Sequence, residues 1–176
     1  MVVNTGEMIL FWQPDSIYSN WYPNTPLVLA EYPKLKFDNS EAAFMFLKAK
    51  AFGDDVMALM ILNNQDPWET KKMGRRINAY NEEKWAEVRE DAMFAACYAK
   101  FSQNEDLKAE LLSTGTLLLV EASPVDKIWG IGLAPNEPRA RRVETWQGLN
   151  LLGKILMEVR TVLVNEMARD VAETAQ

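Results

Sequence analysis

The segment from Asn81 to about Phe101 constrains this chain more than any other, because Trp85, Val88, Ala92, Ala95, Ala96 and Ala99 recur there with helical spacing. A sustained period of about 3.6 residues predicts one long helix with a single buried stripe. Asn81-Glu-Glu-Lys supplies its cap and an acidic first turn. Shorter helices are predicted around it. Asn39 and Ser40 cap one from about Glu41 to Phe52, and Asp54 starts another through Leu62. Asp66-Pro67 is a cap followed by proline at the first helical position, and that helix should end at Gly74, read as a left-handed C-terminal residue. Glu105 to Leu112 stops at Thr114-Gly115. The last helix runs from Asn150 to about Val164, with Leu152, Ile155, Leu156, Val159 and Val162 facing inward, and the polar tail after Asn165 is expected to fray.

Strand signals are few and short. Met8 to Trp12, Leu27 to Leu29, Lys34 to Phe37 and the apolar run Leu117 to Val120 qualify, with Ser19-Asn-Trp-Tyr-Pro23 as a turn. The fold class expected is therefore α+β: a compact, predominantly helical domain with a few short β-strands. At 176 residues and 48% hydrophobic content, a single domain over 1–176 can bury its own core.

Composition removes whole chemistries. The chain has no histidine, so Ser-His-Asp and Cys-His arrangements and histidine-ligated zinc are out. Proton transfer must use carboxylates, lysine, tyrosine or water. Cys97 is the one cysteine, lies in an apolar helical pattern and reads as a buried thiol. A net charge of −6 argues against a general nucleic-acid coat but leaves room for a small basic pocket holding one phosphate. No signal peptide is visible, and no apolar run approaches the roughly 18 residues of a membrane span. The expectation is a cytoplasmic protein without a membrane partner.

The densest cluster of candidate chemistry follows the run Leu117 to Val120. Glu121-Ala-Ser-Pro-Val-Asp-Lys-Ile-Trp-Gly-Ile-Gly132 holds two carboxylates, a tryptophan and two glycines in a loop mounted on a strand. Asp126 reads either as the cap of its own turn or, with Glu121, as a carboxylate pair able to activate water or stabilise an oxocarbenium-like centre. Trp129, in a glycine-containing loop, is less easily explained as core, and a ring that stacks on a base is a fair rival reading. Elsewhere, Glu41 stands at a helix start, where the dipole favours it, and Lys48 lies two turns along the same face. Taken alone, a solvated pair explains them. Gly74-Arg75-Arg76 is a surface basic pair or a phosphate grip. Trp85, on a helical stripe, is more simply core than a stacking platform. Asn150-Leu-Leu-Gly153 belongs to the fold: a capped helix with a close-packing glycine.

Taken in order, these residues resemble the NADAR (YbiA-like) family. The resemblance runs through Ser19-Asn20-Trp21-Tyr22-Pro23, Ser40-Glu41 with Phe44 and Lys48-Ala49, Gly74-Arg75, Trp85, Lys100-Phe101-Ser102-Gln103-Asn104, Ser113-Thr114-Gly115, the E-A-S-P-x-D-x-x-W-G-x-G element at 121–132, and Trp146, Gly148 and Asn150 to Gly153, about residues 9 to 163. It implies an N-glycoside hydrolase that cleaves the bond between C1 of a phosphorylated ribose and a base-like nitrogen. The substrate classes implied are early riboflavin-pathway intermediates (phosphoribosylamino pyrimidines) and ADP-ribosylated guanine, including guanine within DNA. No metal or other cofactor is implied. Carried over by position, Glu41, Lys48 and Asp126 would be catalytic, and Asn20, Arg75, Trp85, Glu121, Trp129 and Gly130 would bind substrate. Many members have histidine or another polar residue directly after the helix-start glutamate; here that residue is Ala42.

Two mechanisms fit these residues. A carboxylate, Asp126 or Glu41, activates water at C1; or the ribosylamine opens and Lys48 attacks C1 to form a Schiff base. A non-catalytic module that reads ADP-ribose or a nucleotide is the rival function.

Overall fold

The computed structural model describes residues 2–174, in which the chain divides into two compact units. The first to be completed along the sequence is a contiguous helical unit, Asn20–Asn104. It contains α1 (Ser40–Ala51), α2 (Asp55–Asn63), α3 (Pro67–Gly74) and α4 (Glu82–Ser102). α1 is the hub, packed against the other three. Each helix begins where the sequence says it should. Asn39, Asp54, Asp66 and Asn81 lie outside the helix and accept an N–H from Ala42, Met57, Glu69 and Lys84 respectively.

Two expectations fail in this unit. Leu27–Leu29 and Lys34–Phe37 do not form strands; they meet only at the isolated antiparallel bridge between Leu27 and Phe37. Tight turns, with Tyr32 N–H on Leu29 O and Leu35 N–H on Tyr32 O, use up the intervening chain. Gly74 is not left-handed: it closes α3 in helical conformation. Its lack of a side chain serves a close approach instead, because a Cβ there would come within 2.1 Å of Met45 Sδ.

The second unit joins Met1–Ser19 to Glu105–Gln176. It contains β1 (Val2–Asn4), β2 (Met8–Phe11), α5 (Glu105–Ser113), β3 (Leu118–Glu121), two 3-10 turns at Pro138–Arg141 and Val143–Thr145, and α6 (Leu151–Thr174). The sheet order is β1-β2-β3, with β1 antiparallel and β3 parallel to β2. Its core holds Met8, Leu10, Val120, Ala122, Ile131, Leu133 and Ala140, with Trp146 packed against them. α6 lies on β3, so close that a Cβ on Gly153 would meet Leu119 O at 2.0 Å. Leu152, Ile155, Leu156 and Val159 are buried as expected, and Leu163 takes the inward place expected of Val162. The tail after Asn165 remains helical to Thr174. The sequence there lacks Gly and Pro and contains good helix formers. Among the described residues no helix is long and apolar enough to cross a membrane.

Candidate active site

In the helical unit, the start of α1 is locked before any chemistry is placed on it. Asn39 accepts from Ala42 N–H at 2.9 Å and donates its amide to Gln65 O at 2.8 Å. Glu41 occupies the first turn, is buried, and donates its N–H to Asn20 O at 3.1 Å. Asn20 accepts the Ser40 hydroxyl at 2.9 Å and places its amide 3.1 Å from Met93 Sδ. Cys97, buried as expected, lies 3.7 Å from the same Asn20 oxygen. The polar atoms of the Asn20 side chain therefore tie α1 to α4, a scaffolding role. Ala42 is fully buried beside Glu41.

Lys48 projects from the far end of α1. Its Nζ donates to Gly74 O, the end of α3, at 2.9 Å. It lies 4.4 Å from the centroid of the Tyr80 ring and 5.4 Å from that of Trp85. Burial is the main influence lowering its pKa from 10.5, and Arg75 adds to it; the carboxylates of Glu82 and Glu41 oppose. Glu41, Lys48, Arg75 and Trp85, widely spaced in sequence, are thus grouped where α1, the end of α3 and the start of α4 meet. Arg75 is exposed at the C-cap of α3. Trp85 packs between Phe44 (5.4 Å) and Phe52 (6.4 Å) and is only 6% exposed. It is buried as a residue on a helical stripe should be, and forms a wall beside the amine. Tyr80 escaped the sequence reading. Its one signal was an aromatic residue directly before the helix cap Asn81.

In the other unit, the loop after β3 is closed by its own backbone. Asp126 Oδ1 accepts from Ile128 N–H at 2.9 Å and Trp129 N–H at 2.8 Å, while its own N–H donates to Ser123 Oγ at 3.1 Å. Asp126 therefore caps its turn, the simpler of the two readings. Gly130 is buried where a Cβ would meet Glu121 O at 2.7 Å, so no larger residue fits without moving backbone. Half-buried Glu121 ends β3 and donates its N–H to Asn150 Oδ1 at 3.0 Å. The Asn150 amide donates to Leu119 O at 2.9 Å. Trp129 is half-buried, its backbone N–H held by Asp126. Among the described residues no group of three or more His, Cys, Asp or Glu is placed to hold a metal ion.

Asn20, Glu41, Lys48, Arg75 and Trp85 thus stand in the helical unit, and Glu121, Asp126, Trp129 and Gly130 in the sheet unit. The fold and these two groups of residues define a class of small, mainly helical α+β proteins. Protein irg-1 of Caenorhabditis elegans is 39% identical to this chain over 171 residues, covering 90% of this chain and 81% of that protein. N-glycosidase R617 of Acanthamoeba polyphaga mimivirus is 38% identical over 145 residues, covering 82% and 85%. The NMR structure of the Escherichia coli protein YbiA matches with a TM-score of 0.74 at 28% identity, over 94% of this chain and 90% of that one. The family model of the NADAR domain matches residues 10–164, and the chain belongs to that family.

Proposed function

We propose that this chain cleaves the bond between C1 of a phosphorylated ribose and a base-like nitrogen, with Lys48 as the nucleophile. The broader statement, an enzyme that hydrolyses N-glycosidic bonds, follows from its similarity to curated N-glycosidases over most of its length. We read residues 1–176 as one functional NADAR domain, supported by a family match running from residue 10 to 164. We place it in the cytoplasm with a free nucleotide-like substrate.

The observation that carries the Lys48 route is the amine itself. It is half-buried between two rings, hydrogen-bonded to a backbone carbonyl, and depressed in pKa beside buried Glu41. A lysine so placed reaches its neutral, nucleophilic form at lower pH than a solvated one. Asp126, by contrast, has an oxygen committed to two backbone N–H groups. We assign it to shaping the loop that presents Trp129 and Gly130 for binding.

The ribosylamine opens to its imine, and the neutral Lys48 Nζ forms a bond to C1. Both protons of the neutral Nζ pass in turn through Glu41 to the leaving nitrogen, whose bond to C1 breaks as it departs as the free amine. Water then adds to the resulting Schiff base at C1, and the C1–Nζ bond breaks, freeing the sugar aldehyde and regenerating Lys48. Arg75 grips the phosphate with paired N–H groups.

Both substrate classes, the phosphoribosylamino pyrimidines and ADP-ribosylated guanine, offer C1, a phosphate and an aromatic base. The test presents each separately and follows free base, with borohydride added in a parallel reaction. The expected result is base release from one of them and a reduced adduct on Lys48 that is absent in Lys48→Ala. Turnover that survives Lys48→Ala refutes the nucleophile. Specific binding without turnover of either substrate identifies a reader of ADP-ribose instead.

A further inference from the structure

Tyr80 has no part in the reaction set out above, yet its ring centroid stands nearer to the Lys48 amine than that of Trp85, at 4.4 Å against 5.4 Å. Its placement is enforced from both sides. Asn78 N–H donates to Asp54 Oδ2 at 2.8 Å, and Asn81 caps α4 through Lys84 N–H at 2.8 Å. Between these anchors Ala79 is held at φ +54°, a left-handed conformation disfavoured for any residue with a Cβ. That turn aims the Tyr80 ring at Phe52, with centroids 5.3 Å apart, and over the amine. The Tyr80 hydroxyl donates to Glu82.

We infer that Tyr80 is a positioning residue for Lys48: its ring keeps water from the amine, and its hydroxyl fixes the Glu82 carboxylate nearby. The inference rests on the reading of Lys48 as nucleophile. The charged groups around Lys48 are Glu41 on its own helix, Arg75 at the end of α3, and Glu82 at the start of α4. Arg89 Nη1 lies 3.3 Å from Glu82, Lys84 lies over Phe52, and Lys50 pairs with Asp55 on the α2 side.

The two halves of Tyr80 act in opposite directions. Excluding water favours the neutral amine, whereas the Glu82 charge favours the ammonium ion. Tyr80→Phe keeps the ring and frees Glu82, so the Lys48 titration midpoint should fall. Tyr80→Ala removes both halves, so its midpoint should lie above that of Tyr80→Phe, the difference being the share of the ring. Each shift should be about one pH unit or less.

The experiment acetylates the protein with a trace dose of an amine-reactive reagent across pH and reads Lys48 by peptide mass spectrometry. Lys50 serves as the internal control. Glu82→Gln should lower the midpoint as Tyr80→Phe does, and the double variant should shift no further than either alone. This pair keeps the test decisive if Tyr80→Ala unfolds, because the Glu82 side chain is 61% exposed. Unchanged midpoints, or additive shifts in the double variant, overturn the inference. Labelling needs no substrate, so it is independent of the trapping experiment. Shifted midpoints without a trapped adduct retire the Schiff-base route and leave the placement of Tyr80 standing. A trapped adduct with unshifted midpoints does the reverse.

Discussion

Asn150→Ala should be among the most damaging single changes in the sheet unit. β3 spends alternate N–H groups on its neighbour, with Leu118 N–H on Glu7 O at 3.1 Å and Ala122 N–H on Phe11 O at 2.8 Å. Leu119 O and Glu121 N–H face the other way, where among the described residues no strand follows β3 in the sheet. The buried Asn150 amide serves both, at 2.9 and 3.0 Å, as a peptide of a missing strand would. Truncation to alanine leaves two such groups unsatisfied, at about 1–3 kcal/mol each, or about 2–6 kcal/mol together. Asn150 also sits at φ +54°, where alanine is worse than asparagine by about 1 kcal/mol. Asn150→Gly escapes that backbone cost and should be milder, by about 1 kcal/mol or less. The assay is urea unfolding of the three proteins, reading the midpoint at constant slope. A loss below about 1 kcal/mol in Asn150→Ala would refute the idea that this amide substitutes for a strand.

Two other outcomes are expected. Arg75→Gln should raise KM by roughly 10- to 100-fold, the worth of a paired charge-assisted phosphate grip, while changing stability by less than about 0.5 kcal/mol because the side chain is exposed. Equal KM values in the two proteins would remove Arg75 from the phosphate. The buried Lys100 amine is pushed down to about 7 by loss of water, so the folded protein binds this proton less tightly than the unfolded chain. Stability relative to Lys100→Met should therefore rise with pH between about 7 and 10.5 and level off below 7. Urea midpoints of both proteins at several pH values check this, and a constant difference across that window refutes it.

What could be read from the residues was whatever is decided locally. Four caps stand where they were expected because an asparagine or aspartate before an amphipathic run satisfies an N–H within three residues. Asp126, which caps its own turn, was legible for the same reason. The failures are decisions made at a distance. Gly74 had the right position but the wrong reason, since only the packing of Met45 shows why a side chain is excluded. That Asn20 Oδ1 accepts from Ser40 while its amide faces Met93 was likewise not legible from its place in the sequence. Tyr80 was invisible because its relation to Lys48 depends on how α4 returns to α1. The grouping of Glu41, Lys48, Arg75 and Trp85 entered through family resemblance; no period or spacing in the sequence would have brought Arg75 to Lys48.

The parallel pairing of β2 with β3 sets an order on synthesis. Met8 pairs with Leu118 and Phe11 with Glu121, so β2 leaves the ribosome well ahead of its parallel partner, with all of α1 to α5 synthesised in between. At ordinary elongation rates of 5–20 residues per second that wait is roughly 5–20 s. The helices of Asn20–Asn104 are drawn from contiguous chain and emerge complete in the meantime. Met8, Ile9, Leu10 and Phe11, all buried in the finished protein, spend that interval as an exposed sticky tether. In the cell, that makes Met8–Phe11 a segment for a holding chaperone to cover during synthesis.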